Sequence, residues 1–173
     1  LPTAPTLANL NERIDALAGL LGNQAASTRL KAEIAVQSDK LAAQAKQNKP
    51  LKVAFLLLHK GQPTSIAGGN TTASALVTLA GGINPVARLH DYKPVSTESL
   101  IELQPDLVLV SGRDWQQYQD PASVLGQVPA LEATPAGKRG AIHAIDGHAL
   151  QGGLSLRSLQ QANQIAQWIK QGS

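Results

Sequence analysis

The sequence predicts an α/β lobe, a three-layer body whose mostly parallel sheet is flanked by helices and preceded by a long helix. Three observations predict it. Short, nearly continuous apolar runs at 52–58, 106–110 and 141–145 read as strands buried on both faces. Helical patterns lie between those runs, and strands alternating with helices imply parallel pairing with helices on both sides. The residues before Pro50 carry helix signals and no strand signal.

Taken in order, residues 1–6 are extended, because Pro2 and Pro5 disfavour a helix. Leu7, Leu10, Ile14, Leu17 and Leu21 then recur at helical spacing, with Asn9 or Asn11 as the cap and Gly22-Asn23 as the stop. A second helix is expected from Ser27-Thr28 to Gln47. Leu30, Ile34, Leu41 and Ala45 form its stripe and good helix formers fill the rest. Its largely polar surface suits a strut between two bodies better than a core helix. Asn48-Lys49-Pro50 breaks it and the first strand follows. Thr64-Ser65-Ile66 is a candidate short strand. A helix over 71–79 opens at Asn70 and closes at Gly81-Gly82. Another over 97–103 has Ser96 and Ser99 as its cap and Pro105 as its stop. The last helix runs over 154–170, with Leu156, Leu159, Ala162, Ile165 and Ile169 on one face. The division expected is a helical connector over 1–48 and an α/β lobe over 49–173, with the connector's other partner outside this chain.

Composition removes several classes. The 173 residues suffice for one substantial core, and 43% of them are hydrophobic, an ordinary fraction for a globular chain. No apolar run approaches the ~20 residues a membrane helix needs. The first residues show no basic and apolar leader. Net charge is +3, from scattered basic residues without a dense Lys/Arg run, so nucleic acid is not an expected partner. The absence of Cys excludes disulfides and thiolate zinc sites. No G-x-S-x-G elbow, H-E-x-x-H pair, phosphate-binding loop or G-x-G-x-x-G turn occurs, and no enzyme is expected.

Ligands of open parallel sheets bind beyond the carboxyl ends of the strands. The residues there are His59-Lys60-Gly61, then Ser111-Gly112-Arg113-Asp114-Trp115, then Asp146-Gly147-His148, with the loop 88–95 beside them. This rim is rich in His, Arg, Lys, Tyr and Trp. Imidazole ligates iron, guanidinium grips a carboxylate and indole stacks, so the set suits a flat apolar ligand bearing carboxylates. His59 is the metal-ligand candidate, with Arg157 as the anion partner. Lys60, Tyr92, Arg113 and Trp115 are candidates for lining the cleft. Each has a plainer reading: a loop histidine, a structural ion pair for Arg157, packing for Tyr92, cover of the sheet edge for Trp115. His143 reads as structural, and His90 and His148 as ordinary surface residues; a small α/β enzyme with Asp146 or His148 as acid or base is the weaker alternative. Gly68-Gly69-Asn70-Thr71 reads as a tight turn rather than an anion cradle.

Several stretches resemble the haem-binding periplasmic proteins of haemin ABC importers. The first is 66–84, Ile-Ala-Gly-Gly-Asn-Thr-Thr-Ala-Ser-Ala-Leu-Val-Thr-Leu-Ala-Gly-Gly-Ile-Asn. The others are 92–100, 103–110 and the closing Gly152-Gly153-Leu154-Ser155-Leu156-Arg157. The helices before Pro50 are similar to that family's interlobe helix. The resemblance implies two α/β lobes joined by a rigid helix, with this chain as the C-terminal lobe plus connector. It implies haem, as ligand rather than catalytic cofactor, in the cleft between the lobes. It further implies a periplasmic location and delivery to an inner-membrane ABC permease, with an outer-membrane haem receptor as an indirect partner. A tyrosine of the other lobe is the family's usual iron ligand. Some members also use a histidine just after the first strand of this lobe to hold a second, stacked haem, and His59 matches that place; Arg157 matches that of an arginine facing the cleft, although Ser155-Leu156 stands where Gly-Pro is common. Binding of a ferric siderophore or cobalamin is the alternative. A scaffold lobe meeting only a permease, through Glu98, Glu102 and Asp120, is a further one.

Overall fold

In the computed structural model, which describes residues 5–112 and 115–172, the chain begins with a helical hairpin. Helix α1 spans Leu7–Leu21 and α2 spans Gln24–Gln47. The cap of α1 is Thr6, not Asn9 or Asn11: its hydroxyl accepts from the Asn9 backbone N–H at 3.2 Å. Gly22 ends the helix in the left-handed region, with φ at 64°. Asn23 then caps α2 at once, accepting from Ala26 N–H at 3.1 Å, so α2 starts three residues earlier than Ser27. Ser27 is buried instead, and its hydroxyl donates to Asp15 at 2.9 Å beside Lys31. Lys31 and Ser27 together hold the exposed Asp15 carboxyl below its ordinary value.

Five strands follow: β1 (Val53–Leu57), β2 (Ser65–Ala67), β3 (Tyr92–Pro94), β4 (Leu107–Ser111) and β5 (Ile142–Ala144). Their spatial order is β3-β2-β1-β4-β5. β1, β4 and β5 run parallel, with Phe55 opposite Leu109 and Leu109 opposite His143. β2 and β3 add an antiparallel edge. The outermost strand of that edge, β3, falls in a stretch that the sequence pattern marks as loop.

Alternation along β1 and β4 feeds two cores. Val53, Phe55, Leu107 and Leu109 face one cluster with Leu76 and Val77 of α3 (Thr72–Leu79) and Leu159, Ile165 and Ile169 of α7 (Leu156–Gly172). Ala54, Leu56, Val108 and Val110 face the other, with Leu100 of α4 (Thr97–Leu103), Val124 of α5 (Pro121–Gln127) and Ala136 of α6 (Pro135–Arg139). Both faces of these strands are therefore covered, which is why the runs are apolar throughout. Leu10, Ile14, Ile34 and Leu41 of the helical hairpin belong to the first cluster. A weak stripe is thus enough to seat α2 on the lobe, and Asn48 at its end donates to Ala166 O of α7 at 2.9 Å.

Two turns differ from their expected chemistry. Thr71, rather than Asn70, caps α3 and accepts from Ser74 N–H at 3.1 Å. Helix α7 starts at Leu156 because Gly152 and Gly153 hold φ of 72° and 85°. Ser155 and Ser158 then cap one another's backbone N–H groups at 3.2 and 3.1 Å. The Ser96 cap of α4 forms as expected, accepting from Ser99 N–H at 3.1 Å.

Candidate functional site

An open pocket of about 390 Å³ lies at the carboxyl ends of β1, β4 and β5. That is within the size range of small-molecule sites. Its first wall is Leu57 at the end of β1, with His59 two residues on. Leu58 between them is buried and donates its N–H to Ser111 O at 2.8 Å, which fixes the strand end and leaves the half-buried His59 at the rim. Gly61, at φ 76°, turns the chain away, so Lys60 is exposed on that turn and is not part of the wall.

The second wall is Ser111 and Gly112 at the end of β4. Ser111 is fully buried and its hydroxyl donates to Ile145 O at 2.9 Å, so its role is to tie β4 to the chain after β5. Gly112 allows the two strand ends to close up: a Cβ there would collide with the backbone carbonyl of Leu58 and would sit 3.8 Å from His59 Nδ1. Arg113 lies outside the described residues, as does the side chain of Trp115, whose backbone opens a short turn.

The third wall follows β5. Gly147, His148, Leu150 and Gln151 line the pocket. Asp146 organises this segment: its Oδ1 accepts from the His148 backbone N–H at 2.9 Å and lies 2.9 Å from His148 Nδ1. Its Oδ2 is 3.8 Å from Arg157 Nη1. Burial pushes the Asp146 carboxyl up, but the His148 backbone and ring and the Arg157 guanidinium outweigh it and hold the group below its ordinary value. Arg157 sits in the first turn of α7, where the helix dipole opposes a cation, and Asp146 offsets that. Arg157 does not line the pocket itself. It joins the rim through Asp146, with its side chain 62% exposed.

The fourth wall is Tyr92, at the start of β3 and paired with Ala67. It also packs on the first core cluster. Burial raises its phenol above the ordinary value, and the hydroxyl stays protonated at neutral pH. The surrounding loop is built on Gly68 and Gly69, whose N–H groups donate to Asp91 O and Leu89 O at 2.9 and 2.8 Å. Those donors are used up by the turn, so this segment is no anion cradle. His148 is the wall residue that the sequence places on the rim but reads as an ordinary surface histidine or, in the enzyme alternative, an acid or base. The available signal is its place just after the third parallel strand.

His143 lies on β5 and stacks on Trp168 of α7, with ring centroids 4.1 Å apart and planes 3° from parallel. Burial lowers its pKa from the ordinary 6.5. The neutral ring is therefore favoured by folding. That contribution is complete above the unfolded value and is lost as pH falls through the folded one. Denaturant unfolding at pH 7.5 and pH 5 is expected to show a smaller acid loss for His143→Phe, which keeps the stacking, than for wild type. Equal acid losses would contradict this reading.

The model of the periplasmic binding protein family matches residues 1–149, and the chain belongs to that family. This is a family of binding proteins rather than enzymes. Among solved structures, the chain is similar to the periplasmic haem-binding protein HutB of Vibrio cholerae, at 43% identity and a TM-score of 0.89, covering 96% of this chain and 65% of that one. The periplasmic haem-binding protein RhuT of Roseiflexus sp. RS-1 is similar at 29% identity and a TM-score of 0.86, covering 98% of this chain and 65% of that one. The periplasmic vitamin B12-binding protein BtuF of Vibrio cholerae shares the fold, at 20% identity and a TM-score of 0.76, covering 98% of this chain and 63% of that one. The chain thus spans just under two thirds of the length of the structures it matches. Among curated proteins none matches.

Proposed function

We propose that this chain is the C-terminal lobe, with its connecting helices, of a periplasmic protein that binds haem and hands it to an inner-membrane ABC permease. One observation carries the reading: the likeness to a haem-binding protein extends over nearly the whole chain at 43% identity. The likeness to the vitamin B12-binding protein is one of fold. The pocket agrees with this in its chemistry. His59 offers an imidazole to iron, and Leu57, Tyr92 and Leu150 offer apolar surface to a porphyrin. Arg157 offers a guanidinium at the rim for a propionate, in exchange with Asp146. Arg113, Trp115 and Lys60 are proposed to extend the same rim.

The connector is residues 1–48 and the lobe is residues 49–173. The second lobe is proposed to lie in the part of the relatives that this chain does not cover, about a third of their length. Leu17, Leu20 and Leu21 on α1 are 54%, 83% and 78% exposed. Such an apolar tip is the kind of surface that a neighbouring body covers, and the second lobe is its proposed occupant.

Competition tests the ligand class. The full-length protein is expected to take up haemin, and a tenfold excess of cobalamin or of a ferric hydroxamate is expected to leave that uptake unchanged. Displacement of haemin by either would move the assignment to the displacing ligand.

A further inference from the structure

We propose that His148 is an alternative imidazole donor to haem iron, able to take the axial position when His59 does not, and set in place by Asp146. The inference rests on the haem-binding reading above and concerns the same pocket.

His148 lines the pocket together with His59, from the opposite side of the β4 end. Its backbone is pinned, because the 3-10 turn Gly147–Leu150 is capped by the Asp146 carboxylate. Its ring is pinned by the same oxygen, at 2.9 Å from Nδ1. Asp146 has a guanidinium 3.8 Å from its other oxygen, and a carboxylate in that company only accepts hydrogen bonds. Nδ1 must then carry the proton. In the neutral ring this leaves Nε2 bare, with its lone pair free, and Nε2 has no protein partner among the described residues.

A ring with Nδ1–H held by a carboxylate and a bare Nε2 is the arrangement in which histidines bind metals. The carboxylate fixes the tautomer and raises the basicity of the other nitrogen. His143 supplies the contrast within the same lobe: it stacks on Trp168 and is not part of the pocket wall. Asp146 is a positioning residue here, acting through His148, and Arg157 acts in turn on Asp146. The chain Arg157–Asp146–His148 thus couples the start of α7 to the pocket.

The test is a titration of the full-length protein with ferric haemin, read by absorption and by electron paramagnetic resonance. His59→Ala is expected to keep a nitrogen-ligated low-spin species, and the double variant with His148→Ala is expected to lose it. His148→Ala removes the ring alone, since Asp146 still caps the backbone turn. Asp146→Ala is expected to weaken haemin binding about tenfold, the size of effect seen when the partner of a ligating histidine is removed. In the His148→Ala background the same change is expected to have a smaller effect, limited to the loss of the turn's cap, whereas a merely structural role for Asp146 would give the same loss in both backgrounds. A wild type that takes up no haemin overturns the proposed function and this inference with it. A wild type that binds, with His148→Ala indistinguishable from its parent in both backgrounds, overturns the inference alone.

Discussion

Replacing His59 with alanine is expected to weaken haemin binding by the full-length protein about tenfold or more, which is about 1.4 kcal/mol per factor of ten. The reason lies in the strand before it. β1 is buried on both faces as far as Leu56, Leu57 reaches the pocket wall, and Leu58 is buried and bonded to Ser111 O, so His59 is the first polar residue free to turn toward ligand. Its ring then lies beside Gly112 and in the wall of the pocket. Nothing in the fold uses the ring elsewhere: among the described residues the His59 backbone carbonyl accepts from Gln62 N–H at 3.1 Å, but no hydrogen bond or ion pair of the ring occurs. The substitution is therefore expected to leave the melting temperature nearly unchanged while affinity falls. Isothermal titration and thermal unfolding of the same preparation check both halves. Wild-type affinity in the variant would remove His59 from the site.

Gly112→Ala is expected to act on both stability and binding. The added methyl meets the carbonyl oxygen of Leu58, a backbone atom that cannot swing aside, so the ends of β1 and β4 must part. Overpacking of this kind costs about 1–3 kcal/mol. Ser111 and Gly147 close the same corner and must move with it, since a Cβ on Gly147 would itself lie only 3.2 Å from Ser111 Oγ. The pocket wall is deformed and haemin affinity falls as well. Gly126→Ala is the control. It lies in α5 with open space around it, and alanine there is expected to be neutral or stabilising by about 0.5–1 kcal/mol. Denaturant unfolding of the two variants is expected to separate them by more than about 1 kcal/mol. A Gly112→Ala protein as stable as wild type would show that the strand ends are looser than this geometry requires.

The strands and both cores are legible in the sequence because burial on two faces leaves an unmistakable mark, an unbroken apolar run such as that of β4. Capping is less legible. Thr6, Asn23 and Thr71 take caps expected at Asn9 or Asn11, Ser27-Thr28 and Asn70. Several polar residues cluster at each helix start, and which one caps depends on the backbone path into the helix. β3 is hidden because Tyr92-Lys93-Pro94 has neither alternation nor an apolar run. Its strand character comes from pairing with β2, a tertiary fact. The rim as a whole is legible, since the rule of carboxyl ends needs only the strands. Within it His59 and Tyr92 stand out by type and place. His148 does not, because Asp146-Gly147-His148 reads as an ordinary turn until the carboxylate is seen to hold the ring. The polar surface of α2 hides how it is seated: Ile34 and Leu41 are buried in the first core cluster and Leu30 packs against it.

A porphyrin seated at the carboxyl ends of the parallel strands must perturb the backbone there and leave the rest of the lobe quiet. Backbone amide shifts of the isotope-labelled full-length protein, titrated with diamagnetic gallium protoporphyrin, read this out residue by residue. The shifts are expected to concentrate at 57–59, Tyr92, 111–112 and 147–151. Shifts concentrated instead in the groove formed by Pro63, Thr64, Val95 and Pro129, or at the tip of the α1–α2 hairpin, would contradict that placement.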